Sequence, residues 1–198
     1  MCRGLRRSFV VLSILVLPLS ASGESVGWLA DATTAQFPNR AASGTVHGSR
    51  FEMQRAEITG GETKGADGKP YDHGTYFIHL RSGKEFFADK EFTIFVATKL
   101  GEKLDGKAYT LKIGGNFAQT VKVKVGNVSY PAIQGVHMSY TVPGKSLPET
   151  EMFMDKATLR LEFGRSSGGK LPGRIYLCVQ DKAKSFVAGT FTLVPPKS

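Results

Sequence analysis

Two cysteines and one tryptophan in 198 residues, with no apolar run long enough to cross a bilayer, are the clearest shortages of this sequence. Each excludes something. Cys2 lies in a basic N-terminal segment and Cys178 stands far from it, so the body of the chain has no intramolecular disulfide and no cysteine pair for zinc. The apolar run from Phe9 to Leu19 is half as long as the ~20 residues a spanning helix needs, so no transmembrane anchor is expected. Helical stripes with caps are also missing; 149–157 comes nearest and is short. There is no Walker phosphate loop, no dinucleotide fingerprint and no Arg-rich block with RNA-binding aromatics, so nucleic acid is not an expected partner.

What is present begins with an address. Arg3, Arg6 and Arg7 precede the apolar run, and Ser20, Ala21, Ser22 and Gly23 follow it. A basic start, a short apolar middle and a small-residue exit make a secretory signal, with cleavage expected after Gly23. Arg6-Arg7-Ser8-Phe9-Val10 also has the paired arginines of a twin-arginine signal, though so apolar a middle fits the general secretory route better. The expected location is periplasmic or extracellular. Removing 1–23 takes away three arginines and no acids, leaving 23 basic against 17 acidic residues, a net charge of +6. That excess is scattered and reads as solvated strand faces, with a weak attraction to acidic polysaccharide or anionic surfaces.

The rest of the chain alternates. Tyr76, Ile78 and Leu80 alternate with Phe77, His79 and Arg81; Val136, Met138 and Tyr140 with His137, Ser139 and Thr141; Leu159, Leu161 and Phe163 with Thr158, Arg160 and Glu162. Val121, Val123 and Val125 alternate with Lys122, Lys124 and Gly126, while 92–97 is apolar enough to be covered on both faces. Period two places one strand face on a core and the other in water. Further strands are expected over 43–48, 50–58, 107–113, 173–180 and 186–193, about ten in all. Turn chemistry separates them at Gly60-Gly61, Asp67-Gly68, Ser82-Gly83, Asp105-Gly106, Gly114-Gly115, Pro143-Gly144, Gly168-Gly169 and Pro172-Gly173. The expected fold is all-β: a single antiparallel β-sandwich of the jelly-roll or Greek-key sort over 43–194. A loosely ordered lead-in over 24–42, which Trp28, Leu29 and Phe37 can tack to the body, and a tail at 195–198 complete the domain map. Gly44-Thr45-Val46 and Gly189-Thr190-Phe191 are similar enough to suggest two strands that meet when the chain closes.

Chemistry is harder to find. None of His47, His73, His79 and His137 neighbours a recognisable nucleophile elbow, and Cys178 sits in a β-prone run where a thiol is inert. The reading leans away from an enzyme. The most distinctive loop is 65–74. Asp67 and Asp72 in it are weak calcium candidates, but Lys69 puts a cation among them and the EF-hand spacing is absent, so no cofactor is favoured. Tyr71, Asp72 and His73 join a ring to two polar groups at a loop tip, and with Tyr176 they form the candidate ligand-binding set; Phe77 and Tyr130 are further outward-facing rings. Asn127-Val128-Ser129 has the spacing of a glycan acceptor. The leading expectation is an exported protein that binds carbohydrate or another envelope component, or serves an envelope structure. One alternative is a polysaccharide hydrolase using paired carboxylates such as Glu52 with Glu57, or Glu162. Another is an apolar-ligand carrier, if the strands close into a barrel with an empty lumen.

Overall fold

A computed structural model of the chain describes residues 26–61, 68–69, 73–83, 88–114, 120–122 and 129–194. Among the described residues there are strands and turns and no helix, hence none that is long and apolar enough to cross a membrane. The strands are β1 (Ser43–Val46), β2 (Ser49–Glu52), β3 (Arg55–Gly60), β4 (His73–Ser82), β5 (Lys90–Lys99), β6 (Ala108–Leu111) and β7 (Thr120–Lys122). They continue with β8 (Ser129–Pro131), β9 (Ile133–Tyr140), β10 (Glu149–Phe153), β11 (Ala157–Phe163), β12 (Leu171–Val179) and β13 (Phe186–Leu193). The segment 149–157, the nearest approach to a helix in the sequence, supplies β10 instead.

Two main antiparallel sheets result. One has six strands in the order β2-β1-β13-β12-β11-β6, the other five in the order β10-β9-β5-β4-β3, and β7 pairs with β8 separately. The two segments of similar composition do meet, with Gly44 opposite Val187 in the β1–β13 pair. Pro172-Gly173 is not a turn as expected but lies inside β12, opposite β13. A side chain at 173 would stand 2.3 Å from the Phe191 ring, so glycine is there to let that ring lie flat across the strand rather than to bend the chain.

Alternation translates directly into burial. In β11, Leu159, Leu161 and Phe163 are buried, while Arg160 and Glu162 face outward. The inward faces of both sheets contribute to one buried cluster, including Phe51, Leu111, Leu161 and Ile175 from the six-stranded sheet and Ile78, Leu80, Phe92 and Met138 from the five-stranded one. Phe51 of β2 meets Phe92 of β5 edge to face, with centroids 5.7 Å apart, and so links the sheets directly. Each such side chain contributes about 1.5–3 kcal/mol on burial, which is what holds a chain without disulfides. At one margin the sheets also touch through backbone: Ile58 N–H donates to Val194 O at 3.2 Å and Val194 N–H to Ala56 O at 3.2 Å, joining the end of β13 to β3.

The outer face of the six-stranded sheet is covered. Residues 26–42, expected as a loosely ordered lead-in, run across β11, β12 and β13 with specific contacts. Trp28 Nε1–H donates to Val179 O (2.8 Å), Ala32 N–H to Thr158 Oγ1 (2.9 Å), and Tyr176 O–H to Gly27 O (2.6 Å). Phe37 lies between the guanidinium groups of Arg160 and Arg174, 4.6 and 4.7 Å from its centroid. Beneath this segment Ala32, Ala35, Tyr176, Cys178 and Ala188 form a second small buried cluster.

Candidate functional site

The outer face of the five-stranded sheet is built differently. Strand register sets its side chains in rows. Glu57, His79, Thr93, His137 and Met152 lie opposite one another across β3, β4, β5, β9 and β10. Thr59, Phe77, Phe95 and Gly135 form the neighbouring row, and Arg55, Arg81, Glu91, Ser139 and Thr150 the row on the other side. Rows two residues apart stand ~7 Å from each other, close enough for long side chains to bridge them.

They do bridge. Glu91 Oε1 lies 2.6 Å from His79 Nδ1 and accepts a hydrogen bond from Thr93 Oγ1 at 2.9 Å. Arg81 spans two carboxylates, with Nη1 2.8 Å from Glu57 Oε2 and Nε 3.1 Å from Glu91 Oε2. Thr59 Oγ1 lies 3.0 Å from His79 Nε2, on the far edge of the imidazole. Burial opposes the charge on Glu91, yet hydrogen bonds from His79 and Thr93 and the charge of Arg81 outweigh it and hold the carboxyl down to about 2. Glu91 is therefore a carboxylate that only accepts, so in the neutral imidazole the Nδ1 of His79 carries the hydrogen and Nε2 is left as acceptor for Thr59 O–H.

The row of Phe77 and Phe95, beside that of His79, is apolar. Phe77 and Phe95 are half-buried and meet edge to face at 5.2 Å. Next to them Gly135 leaves room for methionine: a side chain there would stand 2.8 Å from Met154 Sδ and 3.5 Å from Met152 Sδ. Met152 and Met154 are 50% and 51% exposed, unusual for residues that lie against a sheet. At the end of the face His73 stacks on Tyr130, with centroids 4.6 Å apart, and Thr75 O–H donates to Gln134 Oε1 at 3.4 Å.

The candidate set from the sequence is thus divided. His73 and Tyr130 come together on this face. Tyr71 and Asp72, and with Asp72 the other calcium candidate Asp67, lie outside the described residues. Tyr176 is on the other sheet, 5% exposed, with its hydroxyl held by Gly27, so it is not offered to a ligand as expected; burial pushes its pKa upward. Cys178 beside it is buried, accepts from Leu29 N–H, and burial pushes the thiol up to about 11. Among the described residues no cluster of three or more histidines, cysteines or acids is placed to hold a metal ion. Each suggested carboxylate sits against arginine: Glu52 on β2 against Arg50, Glu57 on the other sheet against Arg81, and Glu162 between Arg160 and Arg174. Gly164-Arg165-Ser166-Ser167-Gly168 does have the spacing of a nucleophile elbow, which corrects the expectation that the chain has no such motif. It lies between β11 and β12 rather than at a strand-to-helix turn, and Ser166 is tied to Asp105 through its N–H (2.8 Å) and its hydroxyl.

Sequence reasoning found His79 only as an outward histidine and missed its partners. Their signal was present in the consecutive segments that form β4 and β5, where antiparallel pairing sets His79 opposite Thr93 and Arg81 opposite Glu91. Compared with known proteins, the chain matches no family model, no curated protein and no solved structure.

Proposed function

We propose that this chain is an exported β-sandwich, of the jelly-roll or Greek-key sort, that binds carbohydrate across the outer face of its five-stranded sheet. The observation that carries the reading is the apolar patch of Phe77, Phe95, Met152 and Met154, bordered on one side by the hydrogen-bonding row of Glu57, His79 and His137. A saccharide presents the same two chemistries, with C–H faces that lie on apolar rings and hydroxyls that need both donors and acceptors. Arg81, His79, His137, Ser139 and Glu57 supply both kinds, on a rigid sheet rather than on loops. The sandwich reading is supported by the single core shared between the two sheets and by a chain that passes repeatedly from one to the other. The basic balance of the mature chain favours acidic polymers.

The rival readings have less behind them. A general acid for glycoside cleavage needs a raised pKa, whereas burial is outweighed at Glu162 by hydrogen bonds from Arg174 and Arg160, and its carboxyl is lowered. An apolar carrier needs a lumen, and Phe51, Phe92, Leu161 and Ile175 occupy the space between the sheets.

Affinity electrophoresis through gels containing neutral and acidic polysaccharides tests the proposal. The wild type is expected to be retarded by at least one polymer, and Phe77→Ala to run free while keeping its far-ultraviolet circular dichroism. His137→Ala, which removes no core atom, should weaken the retardation. Unretarded wild type in every gel, or equal retardation of all three proteins, overturns it.

A further inference from the structure

We propose that Thr59, His79 and Glu91 form an acyl-transfer relay on the same face, able to remove small O-acyl groups such as acetyl from an esterified saccharide. The substrate class rests on the carbohydrate reading; the chemistry rests on the relay alone.

The three side chains come from three adjacent strands, β3, β4 and β5, and are joined in the order hydroxyl, imidazole, carboxylate. This is the arrangement that identifies an activated nucleophile: a hydroxyl within hydrogen-bond reach of a base, and the base oriented by a third group. The separations, 3.0 Å from Thr59 Oγ1 to His79 Nε2 and 2.6 Å from His79 Nδ1 to Glu91 Oε1, are already those of a working relay. Glu91 is a positioning residue, fixed in turn by Arg81 and by the hydroxyl of Thr93. The single hydroxyl proton of Thr93 goes to Glu91, so its 3.2 Å approach to His79 Nδ1 makes it a second acceptor for the same N–H. That network fixes the tautomer and leaves Nε2 free to take a proton.

The backbone beside Thr59 lies at the edge of its sheet. Ile58 N–H points away from β4, to Val194 O, and antiparallel alternation gives Gly60 N–H the same direction, while Gly61 N–H returns to Thr75 O. Gly60 N–H, in the residue after the nucleophile, is thus directed outward along the plane of the sheet at its β3 edge. Phe77, opposite Thr59 in the register, gives the acyl chain an apolar wall.

The chemistry balances with water as the second reactant. Thr59 Oγ1 adds to the ester carbonyl as its proton passes to His79 Nε2. The alkoxide of the sugar leaves with that proton, and Thr59 carries the acyl group as an ester. Water then gives a proton to Nε2 as its oxygen adds to the acyl carbon; the C–O bond to Thr59 breaks, the hydroxyl recovers the proton, and the carboxylic acid is released.

The test uses the chain from Glu24 onward with p-nitrophenyl acetate, following p-nitrophenol release and mapping acetylated peptides by mass spectrometry. The expected result is acetyl on the peptide carrying Thr59, with release slowed about a hundredfold or more in His79→Gln and Thr59→Val. Thr59→Ser, which keeps the hydroxyl and the backbone preference of a small polar residue, should restore release and carry the acetyl itself. Glu91→Gln should slow release without raising the substrate concentration at half-maximal rate. Acetyl confined to lysines, no acetyl at all, or a Thr59→Val protein as fast as wild type overturns the relay. The last outcome would mean that the imidazole alone does the hydrolysis. Retardation in polysaccharide gels without acetyl-Thr59 sinks the relay and leaves the carbohydrate reading standing; acetyl-Thr59 without retardation does the reverse.

Discussion

Glu91 is a single carboxylate on which His79, Thr93 and Arg81 converge. The consequence for stability has a definite sign. Its carboxyl is held down to about 2 against an ordinary value of 4.5, so in mild acid the unfolded chain takes up a proton that the native chain refuses. The stabilisation it brings is complete above about 4.5 and is lost as pH falls toward about 2. Urea unfolding measured through that range should show a falling midpoint in the wild type and a shallower fall in Glu91→Gln. At neutral pH the same substitution should cost on the order of 1–3 kcal/mol, because His79 loses a charged acceptor and Arg81 an ion-pair partner. Glu102, Glu149 and Glu162 are lowered as well and share the acid slope, so the difference between the two proteins is the informative quantity. An identical slope in both would show that Glu91 is not held in this way.

At the scale of elements, residues 26–42 act as a cover. Cys178 reports on them, because Leu29 N–H sits 3.2 Å from its sulfur and Trp28 is pinned beside it to Val179. With the thiol up at about 11 and buried, the native protein should react slowly with a disulfide reagent at neutral pH. Trp28→Ala should speed that reaction severalfold without changing the far-ultraviolet circular dichroism, since Trp28 packs on the second small cluster and not on the main core. Equal rates would mean that the thiol is reached only by global unfolding. Elements are also where the sequence was most and least readable. Alternation in 157–163 and 133–140 translated into β11 and β9 because each strand has one face on the core. Pro172-Gly173 misled, since local turn chemistry carries no trace of the Phe191 ring that crosses that spot. Tyr176 misled for a related reason: strand parity puts it outward, and only the distant lead-in turns outward into buried. The His79–Glu91 contact was hidden because pairing depends on how many residues the hairpin loop takes up, and one residue more would have inverted every partner.

For the whole molecule, the dominant fact is the span of its contacts along the chain. β1 pairs with β13, β3 touches the end of β13, and Ala32 reaches Thr158. Topologies of this kind must close long loops before contacts reward them, so refolding from urea should take milliseconds to seconds rather than microseconds. Stopped-flow tryptophan fluorescence is suited to the measurement, since Trp28 is the one such residue in the chain and docks on β12. Completion within microseconds would contradict the architecture.

One consequence of this wiring reaches back to synthesis. The final strand is not an appendage but a middle rib, seated between β1 and β12. A ribosome that stalled before Phe186 would release a polypeptide with two raw backbone margins, on β1 and on β12, facing each other across a gap one strand wide. Such a fragment is no smaller, weaker version of the protein. Unpaired strand edges template pairing with other chains, so such a fragment is expected to aggregate under conditions where the full chain stays in solution.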